Sequence, residues 1–172
     1  MDAFLDDDGL EAVRTDAPPG LFLSRRGAWY HDGDRVKHAG LEGLLHRSIA
    51  RDDAGKLLVT TGRDVMPFVA EDAPLFIRTL TADGRLVLSD GTVDDGACFT
   101  IDDDGRIRVT VKNGAFWALA SRSAAQLLVE RVDADGFLHV PAGVRPLTLA
   151  HTLLSGVRDD VDWSEAPTLV MT

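Results

Sequence analysis

The sequence predicts an α+β protein made of many short antiparallel strands, and three observations carry that reading. Seven Asp-Gly dipeptides (starting at 8, 32, 83, 90, 95, 104 and 135) supply turns that need positive φ, a density suited to hairpins and not to a parallel βαβ sheet. Short β-rich runs lie between those turns. Beyond a short helix in the N-terminal leader, helical periodicity shows in only two places.

Residues 1–20 read as a leader. Leu10, Val13 and Phe4 would form the apolar edge of a short helix begun at the Asp6–Asp8 run, where acids suit a helix N-terminus. Pro18-Pro19-Gly20 ends it, because that triplet cannot continue a helix. LFLS (21–24) and AWYH (28–31) then form a hairpin around Arg25-Arg26-Gly27, and Asp32-Gly33 makes the next turn. Leu41, Leu44, Leu45 and Ile49 mark one stripe of a helix running from His38 to Arg51. Asp52-Asp53-Ala54-Gly55 closes that helix and opens strand KLLVTT (56–61), and Gly62 turns the chain into DVMPFVA.

Pro74 ends a loop before LFIRTLT, which Asp83-Gly84 joins to RLVLS (85–89). ACFTI (97–101) follows two more Asp-Gly turns. A second helical pattern spans about Ala115 to Arg131, broken near Ser121, which is a good N-cap for the part carrying Ala125, Leu128 and Val129. The tail from Ala150 holds a polar connection and a last apolar run, TLVMT, suited to an edge strand.

The order of hairpin, helix, acidic-Gly turn, strand and proline occurs twice. Gly27 corresponds to Gly105, Gly55 to Gly136, Gly62 to Gly143, and Pro67 to Pro146. The expected organisation is therefore a leader (1–20), a first α+β repeat (21–81), a second (82–149) and a tail (150–172).

Composition narrows function by exclusion. A formal net charge of −10 on 172 residues repels phosphate backbones and anionic lipid, so nucleic acid and membrane are not expected partners. The acidic N-terminus lacks the basic start and apolar run of a signal peptide, and no apolar stretch approaches the roughly 18 residues of a spanning helix. One cysteine permits no intrachain disulfide. A cytoplasmic location is expected.

The runs GAWYHDGDRVKHAGLEGLL, LLVTTGRDVMPFVAEDAPLFI and VKNGAFWALASRSAAQLL resemble a bacterial family of unknown function, DUF1285. Trp29, Gly33, Glu71, Asp72, Ala73, Pro74, Gly114, Ala118 and Arg122 stand at matching places, and Lys112 replaces the family's arginine. Arg26 stands where the family has aspartate, and Arg35-Val36-Lys37-His38 replaces its P-I-x-R signature. The resemblance covers roughly residues 21–149. It implies a duplicated α+β core, a C-terminal half superficially like pleckstrin-homology folds, and a ligand site between the halves with a signalling or sensing role.

Each chemical candidate has a structural reading beside it. His31, His38 and His46 lack local metal-ligand spacing, and Asp102-Asp103-Asp104-Gly105 lacks the alternating oxygens and final glutamate of a calcium loop, so no metal is expected. Cys98, between Ala97 and Phe99, reads as a small core residue in a strand more readily than as a nucleophile served by His31 or His139. No phosphate loop, dinucleotide fingerprint or common hydrolase motif is present, and no cofactor is expected. Glu71 and Asp72, adjacent on an extended segment, point opposite ways, and a turn cap or a pair with Arg63 or Arg78 is their structural role. Trp29 and Tyr30 alternate, so one should face in and the other out.

These residues favour a non-enzymatic module that binds a small molecule between its repeats. Trp29 would be an apolar wall, with Glu71, Asp72, Lys112 and Arg122 as polar groups. The alternatives are a homodimeric interaction scaffold pairing through exposed edge strands, and an enzyme using Cys98 or a carboxylate.

Overall fold

The Asp- and Gly-rich turns set the architecture. In the computed structural model, which describes residues 10–149, one turn recurs five times, begun by Ser24, Asp52, Thr81, Asp102 and Asp133. In each, the first residue's N–H donates to the carbonyl four residues on, at 2.8–3.0 Å. Its side-chain oxygen accepts the N–H of that same residue at 2.8–3.1 Å. Its carbonyl accepts the N–H of a glycine three residues on. Those glycines have φ of 76–95°, where a Cβ would meet the following carbonyl. A short polar side chain with glycine three places later thus closes a hairpin whose backbone polar groups are already paired.

The protein is α+β, and contacts divide it into two compact units. The first runs up to Phe76 and includes Ser89–Gly91; the second comprises Ile77–Leu88 and the residues from Thr92.

In the first unit, β1 (Leu21–Leu23), β2 (Trp29–His31) and β3 (Asp34–Arg35) precede α1 (Ala39–Arg47). Then come β4 (Ile49–Arg51), β5 (Leu57–Thr61) and β6 (Asp64–Ala70). The sheet order is β3-β2-β1-β6-β5-β4. Its neighbours are antiparallel except β1 and β6, which run parallel with Leu21 opposite Phe68 and Leu23 opposite Ala70. Trp29, 0% exposed, anchors the core. Its ring lies edge-on to Phe68 at 5.0 Å and to His46 of α1 at 5.7 Å, and its indole N–H faces His46 Nδ1 at 3.4 Å.

The second unit takes most of β7 (Leu75–Leu80), then β8 (Leu86–Leu88), β9 (Val93–Asp94), β10 (Phe99–Ile101), β11 (Ile107–Val111) and β12 (Phe116–Ala120). It continues with α2 (Arg122–Val129), β13 (Phe137–Val140) and β14 (Gly143–Leu149). The sheet order is β13-β14-β10-β11-β12-β7-β8-β9, with β10 and β14 parallel. Val109, Ile107, Phe99, Leu86 and Leu128 fill its core.

Several expectations are corrected. The first helix ends at Arg47 and not at Arg51. Ser48 stops it by donating its hydroxyl to the Leu44 carbonyl, and Ile49–Arg51 gain a ladder with Leu57–Val59. Of its apolar stripe only Leu45 is buried, while Leu41 and Leu44 are exposed. The second helical pattern is strand β12 as far as Ala120; a helix follows only from Arg122, with Ser121 accepting the Ala124 N–H as its N-cap. Pairing of Phe116 with Val111 outweighs the helical period there. Gly62 lies in the turn between β5 and β6, whereas Gly143 opens β14, so the two do not occupy like places.

The leader differs too. Phe4 and Asp6–Asp8 lie outside the described residues, as does the tail from Ala150. The described part is extended and not helical: Val13 bridges Asp34, Arg14 N–H donates to Gly33 O, and Arg35 N–H donates to Ala12 O, both at 2.8 Å. Leu10 and Ala17 pack on a cluster of Phe22, Ala28 and Tyr30. That cover is why Trp29 and Tyr30 are both buried although they alternate. Cys98, expected in the core, is exposed, because the strand starts at Phe99 and it is Phe99 that turns inward.

Candidate functional site

The side chain of Glu71, just beyond β6, organises a depression in the first unit. Its carboxylate accepts the Arg25 N–H at 2.8 Å and the Arg14 guanidinium at 2.9 Å, with Arg25 Nε at 3.4 Å. Its own N–H donates to Leu23 O at 2.8 Å, so the backbone fixes where that carboxylate sits. Burial pushes the Glu71 carboxyl up, but the hydrogen bonds from Arg14 and from the Arg25 N–H outweigh it and hold the group below its ordinary range.

Arg14 is the second fixed element. It bonds Asp16 at 2.6 Å, lies 3.4 Å from Glu11, and sets its guanidinium over the rings of Phe22 and Tyr30 at 5.3 and 5.9 Å. With its side chain 14% exposed, its charge is raised in basicity chiefly by the hydrogen bonds to Asp16 and Glu71. Tyr30 donates its hydroxyl to Glu11 O at 2.6 Å. Burial raises the Tyr30 phenol, opposed by the nearby Arg14 charge. Leader, β2 and the end of β6 are thereby joined.

These groups wall a depression of about 250 Å³. Arg25 and Arg26, from the turn between β1 and β2, line its rim with Glu11 and Glu71, and Tyr30 and Leu10 give it an apolar part. Ser24 also lines it, and its Oγ accepts the Ala28 N–H. Such a site can hold a small polar molecule by guanidinium and hydroxyl donors.

The expected site residues are distributed differently. Glu71 is in the depression, and Asp72 is the next residue, half-buried. Glu71 pairs with Arg14 and Arg25, not with Arg63 or Arg78. Trp29 is enclosed among Phe68 and His46 and presents no wall to solvent. Lys112 and Arg122 belong to the second unit. Lys112 sits in the turn after β11 with φ of 53° and donates its N–H to Asp94 at 2.9 Å. Arg122 is the exposed first residue of α2. The whole of β12 separates their backbones, on the order of 15 Å.

Arg14, Arg25 and Arg26 are the residues sequence reasoning missed. The Arg25-Arg26 doublet is visible in the sequence, where it reads as part of a turn. Among the described residues, no three His, Cys, Asp or Glu side chains are grouped as a metal set.

No protein-family model and no curated protein matches the sequence. Solved structures do match. A DUF1285 family protein from Silicibacter pomeroyi superimposes with a TM-score of 0.60 at 15% identity, over 79% of this chain and 90% of that one. A DUF1285 family protein from Shewanella baltica gives 0.52 at 19% identity, over 67% of this chain and 94% of that one. The chain has the DUF1285 fold. At these identities the likeness concerns the fold, and it agrees with the distant DUF1285 resemblance carried by Trp29 and Glu71-Asp72-Ala73-Pro74.

Proposed function

We propose that the protein is a non-enzymatic sensing module that binds a small molecule in the depression around Glu71. One observation carries this: on a chain of net charge −10, Arg14 and Arg25 converge on Glu71 at one concavity that Arg26 also lines. Arg14 is held by Asp16 and Glu71, whereas the Arg25 side chain, 59% exposed, meets Glu71 through Nε at 3.4 Å and keeps an edge toward solvent. Among the described residues, the exposed Cys98 is hydrogen-bonded through its backbone to Thr110 and has no histidine bonded to it as a base.

A duplicated origin is part of the reading. It is supported by the common strand order, β5-β6-β1-β2-β3 in one unit and β13-β14-β10-β11-β12 in the other. In both sets of five, the parallel pair joins the strand that comes first in the chain to the one that comes last. Pro67 faces Leu58 on β5, and Pro146 faces Phe137 on β13. A reducing, cytoplasmic setting suits a sole and exposed thiol. Among the described residues, no helix is long and apolar enough to cross a membrane.

The test is a thermal-shift screen of the full chain against a metabolite panel. A ligand of the folded state raises the midpoint, by the equivalent of about 2.7 kcal/mol at a hundredfold excess over Kd. No stabiliser anywhere in the panel would count against the proposal.

A second reading, a homodimeric scaffold, is favoured by Val65 and Val69, 59% and 50% exposed on one face of β6 with the exposed Pro67 between them. Sedimentation over a concentration series decides it, since Val65→Asp should dissolve a dimer built on that face.

A further inference from the structure

We infer that the molecule this depression takes is a zwitterion, a free α-amino acid with a small apolar side chain; the inference rests on the ligand-binding reading above. The first argument is the order of charges along the wall. Glu11 Oε2 lies 3.4 Å from Arg14 Nε, Arg14 Nη1 lies 2.9 Å from Glu71 Oε2, and Glu71 Oε1 lies 3.4 Å from Arg25 Nε. Signs alternate along that series, so Arg14 and Glu71 have an opposite charge on either side. Asp16 branches off at Arg14, bonded at 2.6 Å, and is not among the walls. The two ends carry opposite signs, the carboxylate of Glu11 and the guanidinium of Arg25, and both line the depression.

The second argument is which groups have an edge to give. Arg14 and Glu71 are largely enclosed, whereas the Glu11 and Arg25 side chains are 44% and 59% exposed and each meets the series on one side. The Nη edge of Arg25 is a planar donor fork suited to the two oxygens of a carboxylate. The Glu11 carboxylate is acceptor only and suits an ammonium. A simple anion on Arg25 would share this small space with the Glu11 carboxylate, and a simple cation on Glu11 would share it with the Arg25 guanidinium. A molecule with both charges satisfies the two ends together and closes the series into a ring.

The third argument is size and lining. The depression, about 250 Å³, lies below the roughly 300 Å³ at which sites for drug-sized ligands begin. Leu10 and Tyr30 provide apolar contact for a short side chain. Tyr30 spends its hydroxyl proton on the Glu11 carbonyl at 2.6 Å, and that bond fixes the backbone from which the Glu11 side chain rises.

The experiment is isothermal titration of the full chain with leucine, N-acetyl-leucine and leucinamide near pH 7 at low salt. Leucine carries both charges, N-acetyl-leucine lacks the ammonium, and leucinamide lacks the carboxylate. The expected result is one leucine site per chain, tighter than either analogue by about tenfold or more, the worth of one charge-assisted hydrogen bond. Glu11→Gln should weaken leucine by about the same factor without weakening N-acetyl-leucine, and Arg25→Gln should weaken leucine without weakening leucinamide. A merely structural effect would weaken all three compounds alike. Circular dichroism and thermal unfolding show whether each variant is folded, and Glu11→Asp and Arg25→Lys, which keep the charges, should still prefer leucine. No binding of leucine, equal affinity for either analogue, or unaffected Gln variants would each overturn the inference. A stabiliser from the metabolite panel that lacks one of the two charges and binds at this depression would overturn it too, yet leave the ligand-binding reading standing.

Discussion

Arg14 Nη1 lies 2.9 Å from Glu71 Oε2, joining residues 57 apart in the chain. That pair, with the Tyr30 hydroxyl on Glu11 O, ties the leader down over the apolar cluster of Phe22, Ala28 and Tyr30. The leader is thus a structural part of the depression.

Glu71→Gln should loosen this strap. The variant keeps an acceptor for the Arg25 N–H but loses the charge opposite Arg14, a partly buried group. A loss of about 1–3 kcal/mol is expected in urea unfolding. Hydrogen exchange should quicken at Arg14 and Arg35, whose N–H groups bond Gly33 and Ala12 across the same junction. Unchanged exchange at both would show that the ion pair is not what holds the leader.

The same carboxylate sets an acid dependence. Its folded value is lowered relative to its ordinary 4.5, so the unfolded state binds protons first as pH falls. The stabilisation is therefore full above that ordinary value and is lost as pH drops through the lower folded one. The stability gap between wild type and Glu71→Gln should be steady near pH 7 and shrink progressively below about pH 4.5. A gap that does not change down to about pH 2 would contradict the assignment.

Trp29 is a core residue, and its substitution should read as one. Trp29→Ala removes the ring that Phe68 and His46 pack against, at a cost of about 3–5 kcal/mol. Trp29→Phe keeps much of that contact and should cost below about 2 kcal/mol. Chemical denaturation of both variants checks the order.

Gly96 tests packing in the second unit. Its φ is 72°, and a Cβ there would come within 2.7 Å of both Phe99 Cζ and Val109 Cγ1. Gly96→Ala should cost about 2–4 kcal/mol from strain and overpacking together. Gly105→Ala, with φ of 76° and open space around it, should cost only the strain, about 1–2 kcal/mol. Equal midpoint shifts in thermal unfolding would refute the difference.

What was legible in the sequence was local. Asp32 and Gly33, with φ of 49° and 88°, form the two-residue hairpin turn that Asp-Gly announces, and the five recurrent turns follow from a polar residue three places before glycine. Ser121 caps α2 as its side chain suggests. What was not legible depends on distant partners. Phe116–Ala120 carries an apolar pattern that either a helix or a strand satisfies, and the neighbouring β11 decides it. Trp29 looked available for a ligand because nothing local reveals α1 and the leader closing over β2 from its two faces. Arg14 and Glu71 share no period or motif, so the depression they build appears only when leader and β6 meet.

The proposed ligand site lies in the first unit, at Glu71. Amide chemical-shift mapping during titration with the strongest stabiliser from the metabolite panel tests it most directly, because the Arg25 N–H is bonded to the Glu71 carboxylate and reports on it. The largest shifts should fall on Arg25, Arg26 and Glu71, with the leader around Arg14 following. Shifts centred instead on Lys112, Arg122 or other residues of the second unit would contradict it.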